Sequence, residues 1–361
     1  MTSRATAQGT AAYAQRFEKT VAPGHFRQAL GLTLSSVGLG TYLGRDDDAG
    51  DHAYEEAIVA AVEGGLNVLD TAVNYRLTRS ERAIGQALAS LTSRGIPREA
   101  VVVATKGGYV PARDPEAYFR QEIMAHGLAG PEDLVAGCHS LAPGYLKHQL
   151  GRSLEHLGLT AVDVYYLHNP EQQLEEIEPA EFRARLRAAF EVLEEAVAGG
   201  RVGAYGTATW NGYRVPAEDA GHLSLESIVA LAREVAGEAH HFRVVQLPFN
   251  LGMPEAYGHV TQSVAGRPLS FLEAARELGI TVMTSASILQ GRLARGLPAE
   301  LGQVLSGLGT DAQRAIQFVR SAPGVTTALV GMGRLAHVTE NLGLLPVAPL
   351  PPETIAGLFS E

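Results

Sequence analysis

Four polar residues follow runs of apolar, largely β-branched residues. Asp70, Lys106 and His168 each end such a run, and Tyr75 lies shortly after Asp70. A tyrosine titrates near about 10 in water, so it is a poor acid at neutral pH unless a cation stabilises its phenolate. Lys106 could supply that cation, and Asp70 could keep the lysine charged. The set predicts a tuned proton donor.

His168 adds a group that could orient a carbonyl oxygen and stabilise negative charge during hydride attack. The constellation lacks an activated Ser or Cys nucleophile and a glycosidase-like carboxylate pair. Taken singly, Asp70 could cap a turn, Tyr75 could be a loop aromatic, Lys106 could face solvent and His168 could be a satisfied buried histidine. Taken together, the four favour carbonyl reduction.

The elements that must position these residues repeat along the chain, because strand-like runs alternate with segments of helical period. Glycines such as Gly158 and Gly279 stand where helices should end, and strands follow them promptly. Eight such units predict a single-domain (β/α)₈ barrel, whose active site lies at the carboxyl ends of its strands. The strands are predicted to begin near Ser36, Asn67, Val101, Val162, Val202, Arg243, Thr281 and Thr327.

The sequence is weighed against one alternative fold and one alternative chemistry. A doubly wound sheet is the alternative fold, but Gly38-Leu39-Gly40 leads into Thr41 and a charged run instead of opening a helix. A metal-dependent hydrolase is the alternative chemistry, but no His/Cys cluster has zinc-like spacing, so no metal is predicted.

An N-terminal segment precedes the barrel, and two loops are longer than compact βα connections. Residues 1–33 precede the first predicted strand and form an N-terminal extension, which could plug the barrel. Residues 34–361 form the barrel, with long loops at about 107–143 and 251–268. Such loops are typical of substrate sites, and surface decoration or an oligomer contact is the alternative.

Composition excludes several classes of protein. The 361 residues carry a formal net charge of -10, which argues against binding to nucleic acid or anionic lipid. The single cysteine, Cys138, cannot form an internal disulfide, which suits a reducing compartment. No signal-peptide pattern and no apolar run of about 20 residues is present. We expect a cytoplasmic protein with no membrane partner.

One stretch carries a recognisable signature. Residues 65–72, followed by Asn74-Tyr75, Ser80-Glu81 and Ile84-Gly85, resemble the first signature of the aldo-keto reductases. Residues 103–106 and 163–168 resemble the family segments that bear the catalytic lysine and histidine. The resemblance covers about residues 34–344 and implies a catalytic tetrad of Asp70, Tyr75, Lys106 and His168.

The resemblance also implies a nicotinamide cofactor. Residues 245–250 look like the sixth strand, whose glutamine holds the carboxamide, and residues 330–334 and 339–341 look like the unit that binds adenosine and its 2′-phosphate. Arg334 favours NADP(H) over NAD(H), although NAD(H) stays possible. The cofactor contacts implied are Gly40, Thr41, Thr209, Gln246, Ser285, Ile288, Gly291, Gly331, Gly333, Arg334, His337, Glu340 and Asn341.

Two positions depart from the family pattern. Ala208-Thr209 stands where Ser-Asn usually contacts the carboxamide, and Ser285 stands where many members stack an aromatic ring on the nicotinamide. Trp210 could supply that missing surface. Tyr42, Tyr109, Asn169 and Trp210 are predicted to contact the substrate, for which sugars, ketones and aromatic aldehydes all fit.

Together these observations predict an NAD(P)H-dependent oxidoreductase that reduces an aldehyde or ketone, with the proton supplied by Tyr75. The alternative, suggested by Ala208 and Ser285, is a nicotinamide-binding regulatory or scaffold protein with little turnover. The small-molecule partner is a carbonyl compound, and the sequence leaves its identity and the oligomeric state open.

Overall fold

A computed structural model describes residues 4–359 of the chain. It contains twelve strands, which are β1 Phe26–Ala29, β2 Leu32–Ser35, β3 Val37–Gly40, β4 Val68–Asp70, β5 Val102–Gly107, β6 Val162–His168, β7 Val202–Ala208, β8 Phe242–Pro248, β9 Val260–Val264, β10 Arg267–Ser270, β11 Thr281–Ser285 and β12 Val325–Gly331.

The α-helices of the described residues are α1 Ala7–Gln15, α2 Asp48–Glu63, α3 Arg79–Ser93, α4 Pro115–Tyr118, α5 Pro143–Leu157, α6 Pro179–Ala198, α7 Leu225–Ala236, α8 Glu255–Gly258, α9 Phe271–Glu277, α10 Leu301–Val304, α11 Asp311–Ser321, α12 Leu335–Leu342 and α13 Pro352–Gly357. Several begin at capping side chains: Asp47 caps α2, and Thr310 with Gln313 forms a capping box on α11.

Eight parallel strands close into a barrel in the order β3-β4-β5-β6-β7-β8-β11-β12, and β12 pairs with β3. Each predicted strand start falls within a few residues of one of these strands. The predicted (β/α)₈ barrel is confirmed, and the doubly wound alternative is wrong because the sheet closes on itself. The barrel places the carboxyl ends of all eight strands around one rim.

The inside of the barrel holds a compact apolar cluster that includes Val68, Val102, Val164 and Met283. The antiparallel hairpin of β1 and β2 lies against this cluster through Leu30 and Leu32, among others. Outward-facing strand residues pack instead against the surrounding helices. The hairpin therefore closes the amino-terminal end of the barrel, opposite the rim.

The domain boundaries remain predictions, and residues 1–3 and 360–361 of the predicted ranges lie outside the described residues. The long connection after β5 contains α4 and several short helical turns, and that after β8 contains α8 and the β9–β10 hairpin. Within residues 4–359, no helix is long and apolar enough to cross a membrane.

Candidate active site

An ion pair lies under the rim of the barrel. Lys106, on β5, places Nζ 2.6 Å from Asp70 Oδ1 at the end of β4 and donates a second bond of 2.8 Å to the Thr71 carbonyl. Gln246, on β8, donates from Nε2 to Asp70 Oδ2 at 2.7 Å. The Lys106 and Asp70 side chains are only 1% and 6% exposed. The carboxylate thus has a partner on each oxygen.

Tyr75 lies above this pair. Lys106 Nζ is 4.9 Å from the centroid of the Tyr75 ring, and the His168 ring lies edge-on to Tyr75 with centroids 5.7 Å apart. His168 ends β6, the strand next to β5. The structure therefore brings all four predicted catalytic residues together.

A left-handed turn fixes the position of Tyr75. Arg76, Leu77 and Thr78 have φ values of 48°, 55° and 73°, a conformation that costs about 1–2 kcal/mol per non-glycine residue. Arg76 offsets this cost through contacts: its Nε donates 2.6 Å to the Arg45 carbonyl, and its Nη2 pairs with Asp51. The turn thereby reverses the chain from Tyr75 into α3.

Burial dominates the protonation of the site. It raises the pKa of the Tyr75 phenol well above its usual value of 10.0, and the nearby Asp70 charge acts in the same direction. Burial also lowers the pKa of Lys106, against the opposing effect of Asp70, and lowers that of His168 well below 6.5. At neutral pH, Tyr75 carries its proton and His168 is uncharged.

These shifts correct one expectation. The sequence predicted that Lys106 makes the Tyr75 phenol more acidic, but partial burial raises the pKa of the phenol instead. Lys106 Nζ bonds Asp70 and Thr71 and faces the ring. No residue of the range 4–359 forms a hydrogen bond with the Tyr75 hydroxyl. The cation is nevertheless near enough to stabilise negative charge on the ring.

A cavity of about 1130 Å³ opens above the four residues. Lys106 alone of the predicted site residues is absent from its wall, since it lies beneath Asp70 and Tyr75. The predicted residues that line it are Gly40, Thr41, Tyr42, Asp70, Tyr75, Tyr109, His168, Asn169, Thr209, Trp210, Gln246, Ser285, Ile288, Gly291, Gly331, Gly333, Arg334, His337, Glu340 and Asn341.

The far end of the cavity is built by β12 and α12. Arg334 is the residue before α12, and no side chain caps the helix there. Gly331 ends β12, and a Cβ added to it would meet no atom within 4 Å. In residues 4–359, neither Arg334 nor Arg295, another residue of the cavity wall, forms an ion pair. Free cations and free amides near a helix start suit a phosphate.

Several buried polar atoms of the wall have no hydrogen-bond partner among the described residues. They are Asn74 Oδ1, His168 Nδ1, Thr209 Oγ1, Ser287 Oγ and Asn341 Oδ1. Buried polar atoms are normally paired, so unpaired ones along a cavity indicate a polar ligand. These atoms extend from the catalytic end to α12, which fits an elongated cofactor such as a dinucleotide.

The substrate-side residues form a second group. The Tyr42 ring lies 4.9 Å from that of Tyr75, and the Tyr109 ring 5.0 Å from that of His168. The Tyr109 hydroxyl accepts a bond from Asn169 Nδ2 at 3.2 Å and donates to Gln172 Oε1 at 2.9 Å. Aromatic faces and neutral polar groups therefore surround this end.

Sequence reasoning missed other wall residues. Asn74 and Ser287 adjoin predicted residues, so their position beside Tyr75 and Ile288 was a usable signal. Arg295 gave no signal, because only the conformation of its loop brings it to the cavity. Gln246, expected to hold a carboxamide, has its Nε2 engaged with Asp70, which leaves its oxygen for a ligand.

Metal ligation finds no support in the side chains described. Among residues 4–359, no three or more His, Cys, Asp or Glu side chains are grouped so that they could hold a metal ion.

The fold is a (β/α)₈ barrel with a large cavity at the carboxyl ends of its strands. The model of the Aldo/keto reductase family matches residues 36–218, about half of the chain. A D-threo-aldose 1-dehydrogenase from a Pseudomonas species is 30% identical in a 353-residue alignment that covers 92% of each chain. This chain belongs to the aldo/keto reductase family, and the resemblance seen in its sequence is confirmed.

Other relatives agree over smaller ranges or at lower identity. An NADH-specific methylglyoxal reductase from Escherichia coli K12 is 32% identical over 142 residues, 38% of this chain and 39% of that protein. A Klebsiella pneumoniae aldo/keto reductase solved with NADP and acetate superposes with a TM-score of 0.61 at 22% identity, over 93% and 94% of the chains. The holo form of a Bacillus halodurans aldo-keto reductase gives 0.63 at 18%, over 92% and 95%.

Proposed function

We propose that this chain is an NAD(P)H-dependent oxidoreductase that reduces an aldehyde or ketone to an alcohol, with Tyr75 as the proton donor. The observation that carries the proposal is a protonated, half-buried tyrosine that lines the cavity, with a lysine ammonium 4.9 Å from its ring centroid. Family membership supports a carbonyl oxidoreductase, and the geometry supports the role of each residue.

Each polar residue of the site has a separate role in the proposed reaction. The chemistry that a reduced nicotinamide would supply in this cavity is a hydride for the carbonyl carbon. Tyr75 gives its proton to the carbonyl oxygen, and Lys106 stabilises the phenolate that remains, because the charges lie close together away from water. Asp70 keeps Lys106 charged and Gln246 orients Asp70. Neutral His168 orients the carbonyl oxygen through its ring N–H.

The same residues serve the reverse direction. Tyr75 as a phenolate would take the proton of an alcohol, with Lys106 still as its counter-ion. The Pseudomonas relative is named a dehydrogenase of D-threo-aldoses, so alcohols and aldoses belong in the substrate panel beside aldehydes and ketones.

NADP(H) is the proposed cofactor, with NAD(H) as the alternative. Arg334, directly before α12, and Arg295 both line the cavity, and a guanidinium binds a phosphate with two parallel hydrogen bonds. The Klebsiella structure contains NADP, whereas the E. coli relative is NADH-specific. We expect Arg334→Ala to raise the dissociation constant for NADPH about tenfold and to leave that for NADH unchanged.

Two measurements test the function. Quenching of protein fluorescence gives the dissociation constants of NADPH and NADH, and loss of NADPH absorbance gives turnover on a panel of carbonyl compounds. Arg276→Ala, on α9 and absent from the cavity wall, is the matched control for Arg334→Ala. Reduction of at least one carbonyl compound supports the proposal. Equal effects of the two substitutions on NADPH would contradict the cofactor assignment.

The alternative is a nicotinamide-binding regulatory or scaffold protein with little turnover. Ala208 and Ser285 favour it, since both line the cavity where a polar pair and an aromatic ring were expected. Tight NADPH binding with no turnover on any compound of the panel would support this alternative.

A further inference from the structure

Trp210 forms part of the cavity wall next to the catalytic strand ends. His168 on β6 is in register with Ala208 on β7, and Trp210 follows Ala208 by two residues. Its side chain is 40% exposed, so one part faces solvent and the other faces the cavity. A large aromatic surface at this place offers a packing face to a substrate group that extends from the carbonyl toward solvent.

A single carboxylate holds the backbone that carries Trp210. Glu171 Oε1 accepts bonds from three successive backbone N–H groups, at 2.7 Å from Trp210, 3.1 Å from Asn211 and 3.3 Å from Gly212. Successive N–H groups that converge on one oxygen form an anion-binding nest. Gly212 suits this approach, because an added Cβ would meet Leu223 at 2.8 Å and the Glu171 carboxyl at 3.4 Å.

Glu171 is tied directly to the catalytic strand. It follows His168, Asn169 and Pro170, and Asn169 N donates 2.6 Å to the Ala208 carbonyl. The nest therefore joins the end of β6, which bears His168, to the loop after β7, which bears Trp210. A shift of Glu171 would therefore move the loop and change the distance between Trp210 and His168.

Arg214 holds the opposite side of the same loop. Its Nε donates 2.9 Å to the Trp210 carbonyl, and its Nη1 lies 2.7 Å from Glu255 Oε2 at the start of α8. The Trp210 backbone thus donates to a carboxylate and accepts from a guanidinium. Charge-assisted bonds of both kinds are stronger than neutral ones.

We propose that Glu171 is a positioning residue: its carboxylate fixes Trp210 as a wall of the substrate site and so sets the affinity for the part of a substrate beyond the reacting carbonyl. The second half of this statement rests on the proposed function, and the first half does not. Glu171 also has a second oxygen, Oε2, buried and without a partner among the described residues. The three N–H groups of the loop therefore all bond the other oxygen, Oε1.

Trp210 is the single tryptophan of the chain, so its fluorescence reports this site without any catalysis. Glu171→Ala removes all three bonds, and Glu171→Gln keeps an acceptor without the charge. Glu175→Gln, an exposed position of the same turn, is the matched control. From 40% exposure, release of the loop is expected to raise acrylamide quenching about twofold in Glu171→Ala and by less in Glu171→Gln.

Steady-state kinetics test whether Glu171, through Trp210, sets the affinity for the substrate. We expect Glu171→Ala to raise KM about tenfold for 4-nitrobenzaldehyde and to leave kcat within about twofold. The KM for acetaldehyde, which has no aryl group for Trp210 to contact, is expected to stay unchanged. Melting monitored by circular dichroism establishes that each variant is folded. If Glu171→Ala does not fold, Glu171→Gln is used in its place to test the role of Glu171.

The outcomes separate the two claims. Quenching in both Glu171 variants equal to that of Glu175→Gln would overturn the positioning role. Raised quenching with equal KM changes for the two aldehydes would overturn the role in specificity. Absence of turnover in the unmodified protein would contradict the proposed function, and the fluorescence result would still decide whether Glu171 holds the loop.

Discussion

Substitution of Asp70 by Asn tests the buried ion pair that supports Tyr75. Asp70 accepts from Lys106 on one oxygen, at 2.6 Å, and from Gln246 on the other, at 2.7 Å. Asparagine has nearly the same shape, but it carries no charge, and its amide NH₂ must face one of these two donors. Lys106, 1% exposed, would then be a buried cation without a carboxylate.

The magnitude follows from this burial. Removal of one partner of a buried ion pair costs about 3–5 kcal/mol, because the remaining charge keeps its desolvation penalty. Lys106 escapes part of this cost by losing its proton, since Asp70 is what raises its pKa against the effect of burial. Tyr75 then lacks its cation, and we expect turnover to fall about 10²-fold or more.

Urea unfolding of Asp70→Asn at pH 7 and pH 9.5 measures the cost and its origin. The folded-state pKa of Lys106 lies below the unfolded value of 10.5, so between these values the unfolded state binds more protons and stability rises with pH. The penalty of Asp70→Asn is therefore expected to be smaller at pH 9.5. Asp48→Asn, whose carboxylate pairs with Arg79 at the surface, is the control with no expected change. Equal stability of the two variants at pH 7 would refute the reasoning.

Two further predictions concern the cavity and the buried histidines. Gly331→Leu is expected to raise the dissociation constant for NADPH at least about tenfold, because the side chain would enter the cavity. Stability should not fall, because a Cβ at this position meets no atom within 4 Å. Gly151→Ala is the control: its Cβ is equally unhindered in α5, so NADPH binding should not change and the free energy of unfolding should rise by about 0.5–1 kcal/mol. Calorimetric titration decides this, and equal affinities would argue against the cofactor site. The free energy of unfolding should fall by roughly 3 kcal/mol for each of His25 and His139 as pH drops from 6.5 to about 4, because burial lowers both pKa values to about 4 and only the unfolded state takes up protons in this window. Urea unfolding between pH 6.5 and pH 4 measures this dependence. If the free energy of unfolding of His139→Gln fell with pH as steeply as that of the unmodified protein, the role of His139 would be contradicted.

The fold could be predicted because its signals are local. β-Branched runs that end in glycine or polar residues define the strands, and their regular alternation with helical segments leaves one closed arrangement. The end of a barrel strand also fixes where a side chain lies. For that reason Asp70, Lys106 and His168 could be placed together from the sequence, although they are far apart along the chain.

Features that depend on burial and loop conformation could not be predicted. Desolvation raises the pKa of the half-buried Tyr75 phenol, and the sequence does not give the depth of a side chain. Glu171 and Trp210 meet through backbone N–H groups, which leave no residue pattern. The left-handed turn at Arg76 uses residues that ordinarily avoid this conformation, so propensity predicts a different path.

The proton donor assigned to Tyr75 is tested most directly by Tyr75→Phe. Stopped-flow absorbance with saturating NADPH and an aldehyde that the unmodified protein reduces measures the rate of NADPH oxidation. The substitution keeps the ring beside Lys106 and removes only the hydroxyl, so we expect the rate to fall at least about 10²-fold while NADPH binds as before. An undiminished rate in Tyr75→Phe would contradict the assignment.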